Sequence, residues 1–320
     1  MTARGNRITF VAAALALAVL AACAGPRATI PGSIDGSSTR LRVRIGGRIT
    51  TVPLEQYVVG AALSEITPTG ERPEVVARVY DVQTTLARTY ALSHLGRHAR
   101  DGFDLCDDTH CQVYQPARLR TSQFAEAATT AARRTRGQVL RLGSRVIDAV
   151  FHADCGGHTT TPSAAWGGTD LPYLQARPDD APNVLHRTWT LEATREEWRT
   201  WLNTDRRTAV GARLTAIRVT STGPGERVLV VRLEGATTRD VSGEVLRSVI
   251  SAARGPRALM STRFVASPTP TGFRLSGSGY GHGVGLCQVG ALARARRGDS
   301  LRSILEQYYP GARLGPTGPG

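Results

Sequence analysis

From residue 41 to 52 apolar and polar positions alternate around Gly46-Gly47, which predicts two strands, 41–45 and 49–52, joined by a tight turn. Apolar positions then recur at helical spacing. Leu54, Val58, Ala61 and Ala62 predict a helix over 54–66 that stops before Pro68. A longer helix is predicted over 73–98, where Val75, Val79, Val82, Leu86, Tyr90 and Ala91 form one stripe that reads as core. Residues 101–116 form a polar loop dense in Cys, His and Asp. A helix over 122–136 ends at Gly137, and strands follow at 139–142 and 146–152. The stretches 154–168 and 172–183 read as loops. Composition resets over 188–264, with a helix at 195–202, strands at 214–220 and 228–233 and a helix at 242–250, predicting an inserted α+β subdomain. Residues 273–276 lead into the glycine-dense 277–285, and one or two helices cover 289–309. The elements do not alternate as βα units, so the predicted class is α+β, with mixed helices and short strands.

The first residues address the compartment. Arg4 and Arg7 precede an apolar run from Ile8 to Leu20, too short to span a bilayer and suited to a signal sequence. It ends in Leu20-Ala21-Ala22-Cys23, which resembles a bacterial lipobox, so residues 1–22 are expected to be a signal peptide and Cys23 the lipidated residue. An ordinary signal peptide with a chance cysteine is the alternative. Residues 23–39 are rich in Gly, Ser and Pro and read as a flexible, lipid-anchored tether to a domain over 40–314. Ala24 carries no inner-membrane retention signal. The expected location is the periplasmic face of the outer membrane in a two-membraned cell, and otherwise the cell surface.

The chain has 320 residues, 41% of them hydrophobic, enough for one large core or two smaller ones. Its formal charge is +14, and all 40 basic residues are arginine. That excess favours an acidic partner, such as lipid headgroups or an anionic wall polymer. Aromatic residues make up only 6% and are not interleaved with the arginines, which argues against nucleic acid.

Several residues carry candidate chemistry. Glu65 ends its helix beside Ala61, Ala62, Leu63 and Ile66; an apolar setting and the negative end of the helix dipole both favour a protonated carboxyl, and a helix-end glutamate in solvent is the alternative that the residues alone favour. Glu55, at the start of the same helix, reads as structural. Cys106, His110 and Cys111 lie within six positions. Thiolates with imidazole suit Zn²⁺, with His98, a distant side chain or water as fourth ligand, and a Cys106–Cys111 disulfide is the alternative. His152-Ala153-Asp154-Cys155-Gly156-Gly157 invites a thiol-nucleophile reading, but no cysteine-protease signature surrounds it. Residues 281–285 lack the lysine of a phosphate loop and suit close backbone approach to a ligand.

Taken in order, VPLEQYVVGAALSEI, LARTYAL, FDLCDDTHCQVYQP, VFHADCGGHT…WGG and GYGHGVGLCQVGALARARRG…LEQYYPG resemble the stage II sporulation protein D and amidase enhancer (SpoIID/LytB) family, across residues 41–314. The resemblance implies work on peptidoglycan, with an α+β fold around a glycan-binding groove. It implies a lytic transglycosylase whose essential glutamate falls at Glu65, or a non-enzymatic enhancer of a cell-wall amidase. It also implies zinc held in the Cys106, His110, Cys111 segment. His282 and Gln288 are candidate hydrogen-bonding groups for sugar hydroxyls, or else they satisfy buried backbone in a tight turn. Arg88 and Tyr90 of LARTYAL are further substrate-binding candidates, with Arg88 equally able to pair with a carboxylate inside the fold. Cys287 stands where many relatives carry serine, and a pairing with Cys155 stays open. The turn after Glu65, TPTGERP, departs from the family pattern.

Overall fold

The computed structural model describes residues 39–181 and 185–318; the expected signal peptide, the Cys23 lipidation site and the tether up to residue 38 lie outside them. Strands β1 (Arg40–Ile45) and β2 (Arg48–Pro53) pair antiparallel from Arg40↔Pro53 to Ile45↔Arg48. Gly46 and Gly47 take φ of +53° and +85°, the conformation a two-residue hairpin turn demands. Helix α1 (Leu54–Glu65) follows without a loop and is buried continuously from Tyr57 to Leu63.

Helix α2 (Pro73–Ser93) opens on a proline, whose missing N–H costs nothing at a first helical turn. The single predicted stripe proves incomplete, because every residue from Val79 to Leu92 is buried. The reason is that α2 divides two cores. Val75, Val79, Val82 and Leu86 pack to one side, and Tyr80, Ala87, Tyr90 and Ala91 to the other. The helix ends at Ser93, short of the predicted 98, because His94 stacks back on Tyr90 with ring centroids 4.0 Å apart and the chain turns there.

Strand β3 (Leu105–Cys106) lies parallel to β1. Helices α3 (Arg118–Thr121) and α4 (Ala125–Arg134) follow, then β4 (Gln138–Leu142), β5 (Arg145–Val146) and β6 (Phe151–His152). The strand predicted over 146–152 is thus two short ones. Helix α5 (Pro162–Trp166) is capped by Thr161.

Residues 188–278 gather around a core of their own, built on Trp198, Leu202, Val231, Leu233, Leu246 and Leu275. The elements are β7 (Thr188–Thr194), α6 (Arg195–Leu202), β8 (Leu214–Gly223), β9 (Arg227–Gly235), β10 (Arg239–Val241), α7 (Gly243–Arg254), β11 (Phe264–Pro268) and β12 (Gly272–Ser278). They form two antiparallel sheets, β10-β9-β8 and β11-β12-β7. A capping box between Thr194 and Glu197 starts α6, and the Trp198 indole N–H donates to the Phe273 carbonyl at 3.0 Å, tying α6 to β12.

The chain then returns through β13 (Leu286–Cys287), α8 (Gln288–Arg296), α9 (Leu301–Tyr308) and β14 (Arg313–Pro316). Strand β13 pairs parallel with β6, and β14 pairs with β4. The fold class is α+β, as predicted.

Candidate functional site

A cleft of about 1350 Å³ runs between α1, the loop after β3, the β6 and residue 280–288 segments, and α7. Glu65 lines it from the last turn of α1. Burial pushes its carboxyl up to about 7, against the opposing effect of the Val113 amide, which donates to Oε1 at 2.8 Å. The segment carrying Val113 is laced to the same helical turn. The Gln115 amide donates to the Ser64 hydroxyl at 2.9 Å, and Arg118 Nε to the Leu63 carbonyl at 2.9 Å. These bonds satisfy carbonyl and hydroxyl groups left open where the helix ends.

Tyr90, His282 and Gln288 line the same cleft. The Tyr90 hydroxyl accepts from Arg97 at 3.1 Å, and the Gln288 amide donates to Gln83 Oε1 at 3.3 Å. His282 presents its ring, but both nitrogens are occupied. Nε2 lies 2.9 Å from the Phe151 carbonyl, and Nδ1 accepts from the Val284 amide at 3.1 Å. That pattern requires the Nε2–H tautomer. Burial drives the ring's pKa down to about 3, so it is neutral. A ligand in the cleft therefore meets a ring face at His282 rather than a free donor.

Arg88 is corrected. Its side chain is wholly buried and turned away from the cleft into a bidentate pair with Glu55, at 2.8 Å and 2.7 Å, with further bonds to the Ala132, Thr135 and Gln138 carbonyls. It fastens α2 to α1 and α4 and has no group left for a substrate. Glu55 is structural, as the sequence suggested.

Cys106, His110 and Cys111 come together at one edge of the cleft, and His98 supplies a fourth group, so that their donor atoms all lie within 4.8 Å of one another. Cys106 Sγ is 3.0 Å from Cys111 Sγ and 3.6 Å from His110 Nδ1, while His98 Nε2 is 3.3 Å from Cys111 Sγ. Ligands at zinc's usual bond lengths stand about 3.3–3.8 Å apart in a tetrahedron. Two sulfurs and two imidazoles at these separations therefore suit a four-coordinate Zn²⁺.

Cys155 is fully buried, its thiol 3.4 Å from Asp179 Oδ2, and Cys287 caps α8 by accepting from the Gly290 amide at 3.4 Å. Neither lines the cleft. The thiol-nucleophile reading has no geometry to support it.

Four features escaped the sequence reading. His152, only 4% exposed, lines the cleft with Nδ1 held 3.1 Å from the Val284 carbonyl and Nε2 without a partner. Burial lowers its pKa well below the usual histidine value, so Nε2 offers a lone pair. Trp166, 49% exposed, lies with its ring 4.9 Å from His282, a flat apolar surface at the cleft. His94 and Asp148 form a partly buried pair at 3.6 Å. Burial lowers the histidine and raises the carboxyl, favouring the uncharged forms. Glu244 and Arg247 reach the cleft from α7 of the inserted unit. The signal for His152 and Trp166 lay in the matched segment VFHADCGGHT…WGG, where the cysteine drew attention instead. Nothing local marks α7 as a cleft wall.

Comparisons with known proteins agree with the motifs. Residues 46–142 match the family described as stage II sporulation protein (SpoIID), and residues 185–285 match a domain of unknown function (DUF8618). The chain is 27% identical over 269 residues to an uncharacterized protein of Brachyspira hyodysenteriae, covering 83% of this chain and 67% of that protein. It is 26% identical over 277 residues to stage II sporulation protein D of Bacillus subtilis, covering 83% of this chain and 75% of that one. It is also 26% identical over 279 residues to the amidase enhancer of Bacillus subtilis, covering 72% of this chain but only 37% of that longer protein. With Glu65, the Cys/His cluster and the glycine-rich return segment standing in the matched order around one cleft, the chain carries a SpoIID-type segment over residues 46–142 and is similar along most of its length to stage II sporulation protein D and the amidase enhancer.

Proposed function

We propose that this protein cuts the glycan strands of peptidoglycan by a lytic transglycosylase reaction with Glu65 as acid and base. The observation that carries the reading is a cleft-facing carboxyl with its pKa lifted to about 7. Such a group is still substantially protonated at neutral pH, as general-acid attack on a glycosidic oxygen requires. Glu65 gives its proton to the bridging oxygen as the bond to C1 of the muramic acid residue breaks. The carboxylate then takes the proton of the C6 hydroxyl while that oxygen closes on C1, giving a 1,6-anhydro ring. No water is consumed, so a second carboxylate on the opposite face, needed for hydrolysis, is dispensable. The Val113 amide orients the carboxyl, the neutral His152 ring backs the cleft floor, and Trp166 offers a face to a pyranose ring.

The same reading assigns Zn²⁺ to His98, Cys106, His110 and Cys111, where it orders the loop leading to Val113. A bound zinc ion supplies positive charge and fixed geometry to this loop. It also keeps the exported location, with anchorage through Cys23. The amidase enhancer similarity favours a second reading, in which the cleft binds glycan without cutting it and the protein stimulates a separate cell-wall amidase. Mass analysis of peptide-stripped glycan incubated with wild type and with Glu65→Gln separates them. Anhydro-ended fragments from wild type alone support the transglycosylase; glycan bound by both and cut by neither supports the enhancer.

A further inference from the structure

We propose that Cys155 and Cys287 join as a disulfide that clasps the base of the inserted unit; this builds on the exported location in the reading above, and is independent of glycan cleavage. Both residues are fully buried, and the Cys155 amide lies 3.2 Å from Cys287 Sγ. Both sulfurs fall within a cluster whose donor atoms all lie within 4.8 Å of one another. The backbone holds the two segments in place on either side. Cys287 is paired with His152 in the parallel β6–β13 contact, Asp154 and Tyr280 exchange amide bonds of 3.0 Å and 2.8 Å, and the Val289 amide donates to the Ala153 carbonyl at 3.1 Å. With the chains fixed this closely, rotation about the side-chain bonds is what brings sulfur to sulfur.

The surrounding donors favour a disulfide over a second metal. Asp154 has both oxygens committed, to the Gly156 amide at 2.8 Å, His186 Nδ1 at 2.7 Å and the Arg187 amide at 2.6 Å. Asp179 takes the Tyr308 hydroxyl at 2.9 Å and the Ala181 amide at 3.1 Å. Asp179 Oδ2 also takes the Cys155 thiol at 3.4 Å, which leaves neither carboxylate free for a metal. At the other cluster, two imidazoles flank the sulfurs and His110 is exposed.

Position gives the bond its purpose. Residues 155 and 287 bracket the inserted 188–278 unit, and the unit's own arginines converge there. Buried Arg227 donates to the Gly281 carbonyl at 3.0 Å and the Cys155 carbonyl at 3.1 Å, and Arg263 donates to the Gly156 carbonyl at 2.8 Å. Cleft residues His152, Ala153 and Gln288 stand within three positions of the cysteines along the chain. A covalent clasp fixes the spacing of that floor and keeps Glu244 and Arg247 across from Glu65.

The chemistry is thiol–disulfide exchange with an oxidised dithiol protein or a small disulfide outside the cytoplasm. One thiolate attacks a sulfur of the oxidant, forming a mixed disulfide and releasing one thiolate. The second cysteine displaces the other sulfur, and the two leaving thiolates take up the two protons lost here. It takes place before the segments are buried, while both sulfurs are accessible.

The test is a thiol map of the full exported chain, trapped with an alkylating agent, unfolded with chelator and no reductant, and digested. The expected result is a peptide linking Cys155 to Cys287, with Cys106 and Cys111 alkylated. A Cys155→Ser, Cys287→Ser variant is expected to melt about 10 °C lower, as loss of a bond closing so long a loop implies. Alkylation of all four residues with no linked peptide overturns the proposal. So does a second zinc ion per chain that disappears in the double variant. Anhydro-fragment release, measured on the same preparation, judges the cleavage reading separately.

Discussion

The backbone N–H of Val113 donates to Glu65 Oε1 at 2.8 Å, and Val113 follows Cys111 by two residues. One short strap therefore joins the Cys/His cluster to the carboxyl at the end of α1. It is bonded to that helix at Leu63, Ser64 and Glu65. Whatever orders the cluster also orders the acid.

Glu65 has a folded pKa of about 7 against an ordinary 4.5. Because the folded value is raised, the group's favourable contribution is complete below about pH 4.5 and is lost as pH rises through 7. Glu65→Gln is thus expected to stabilise the chain by about 1–3 kcal/mol at pH 8 and negligibly at pH 4, after allowance for the solvent that reaches the cleft. Denaturant unfolding at the two pH values measures it. Activity follows the same proton: kcat/KM of wild type should fall about tenfold per pH unit above 7.

On the zinc reading, removing one donor of the Cys/His cluster should loosen the strap while leaving the cores intact. His98→Ala is expected to lower zinc content from one ion per chain and to cut cleavage by about 10–100-fold, with hydrogen exchange rising at Val113. Unchanged exchange at Val113 would uncouple the cluster from Glu65.

Arg88→Ala should act on stability. Breaking a buried bidentate pair leaves Glu55 uncompensated and costs about 3–5 kcal/mol in equilibrium unfolding. Where enough folded protein remains, its affinity for glycan should match wild type. A selective loss of affinity would restore Arg88 to the substrate.

Trp166→Ala removes an exposed ring and should barely move the melting temperature, yet weaken glycan binding about tenfold through lost apolar contact.

The legible parts were those written in local pattern. The β1–β2 hairpin announced itself by alternation around two glycines, whereas Glu65 stood out through the ordered motifs that resemble a known family rather than through its helix-end position alone. The Cys/His cluster was visible in spacing, with His98 as one of its open options. Burial of α2 on all sides was not visible: Val75, Val79, Val82 and Leu86 of the predicted stripe pack against segments from residue 140 onward, while Tyr80 and Ala87 on another face meet the separate core of residues 41–139. The β6–β13 pairing joins two-residue strands across the entire inserted unit, and so short a parallel contact has no periodicity to read. The fate of Arg88 was open for a related reason: the sequence offered several carboxylates and only packing chose Glu55.

The register Thr188↔Ser278 makes the two ends of the inserted unit neighbours on adjacent strands, about 5 Å apart. Such a unit is grafted rather than threaded. A short turn of chain is enough to join the two ends in its place. Its loss would leave Glu65 and the Cys/His cluster on the host's own elements, and take away the α7 wall together with the Arg227 and Arg263 bonds to the Gly281, Cys155 and Gly156 carbonyls. Variation in this guest is then a route by which one cleft floor acquires differently shaped walls.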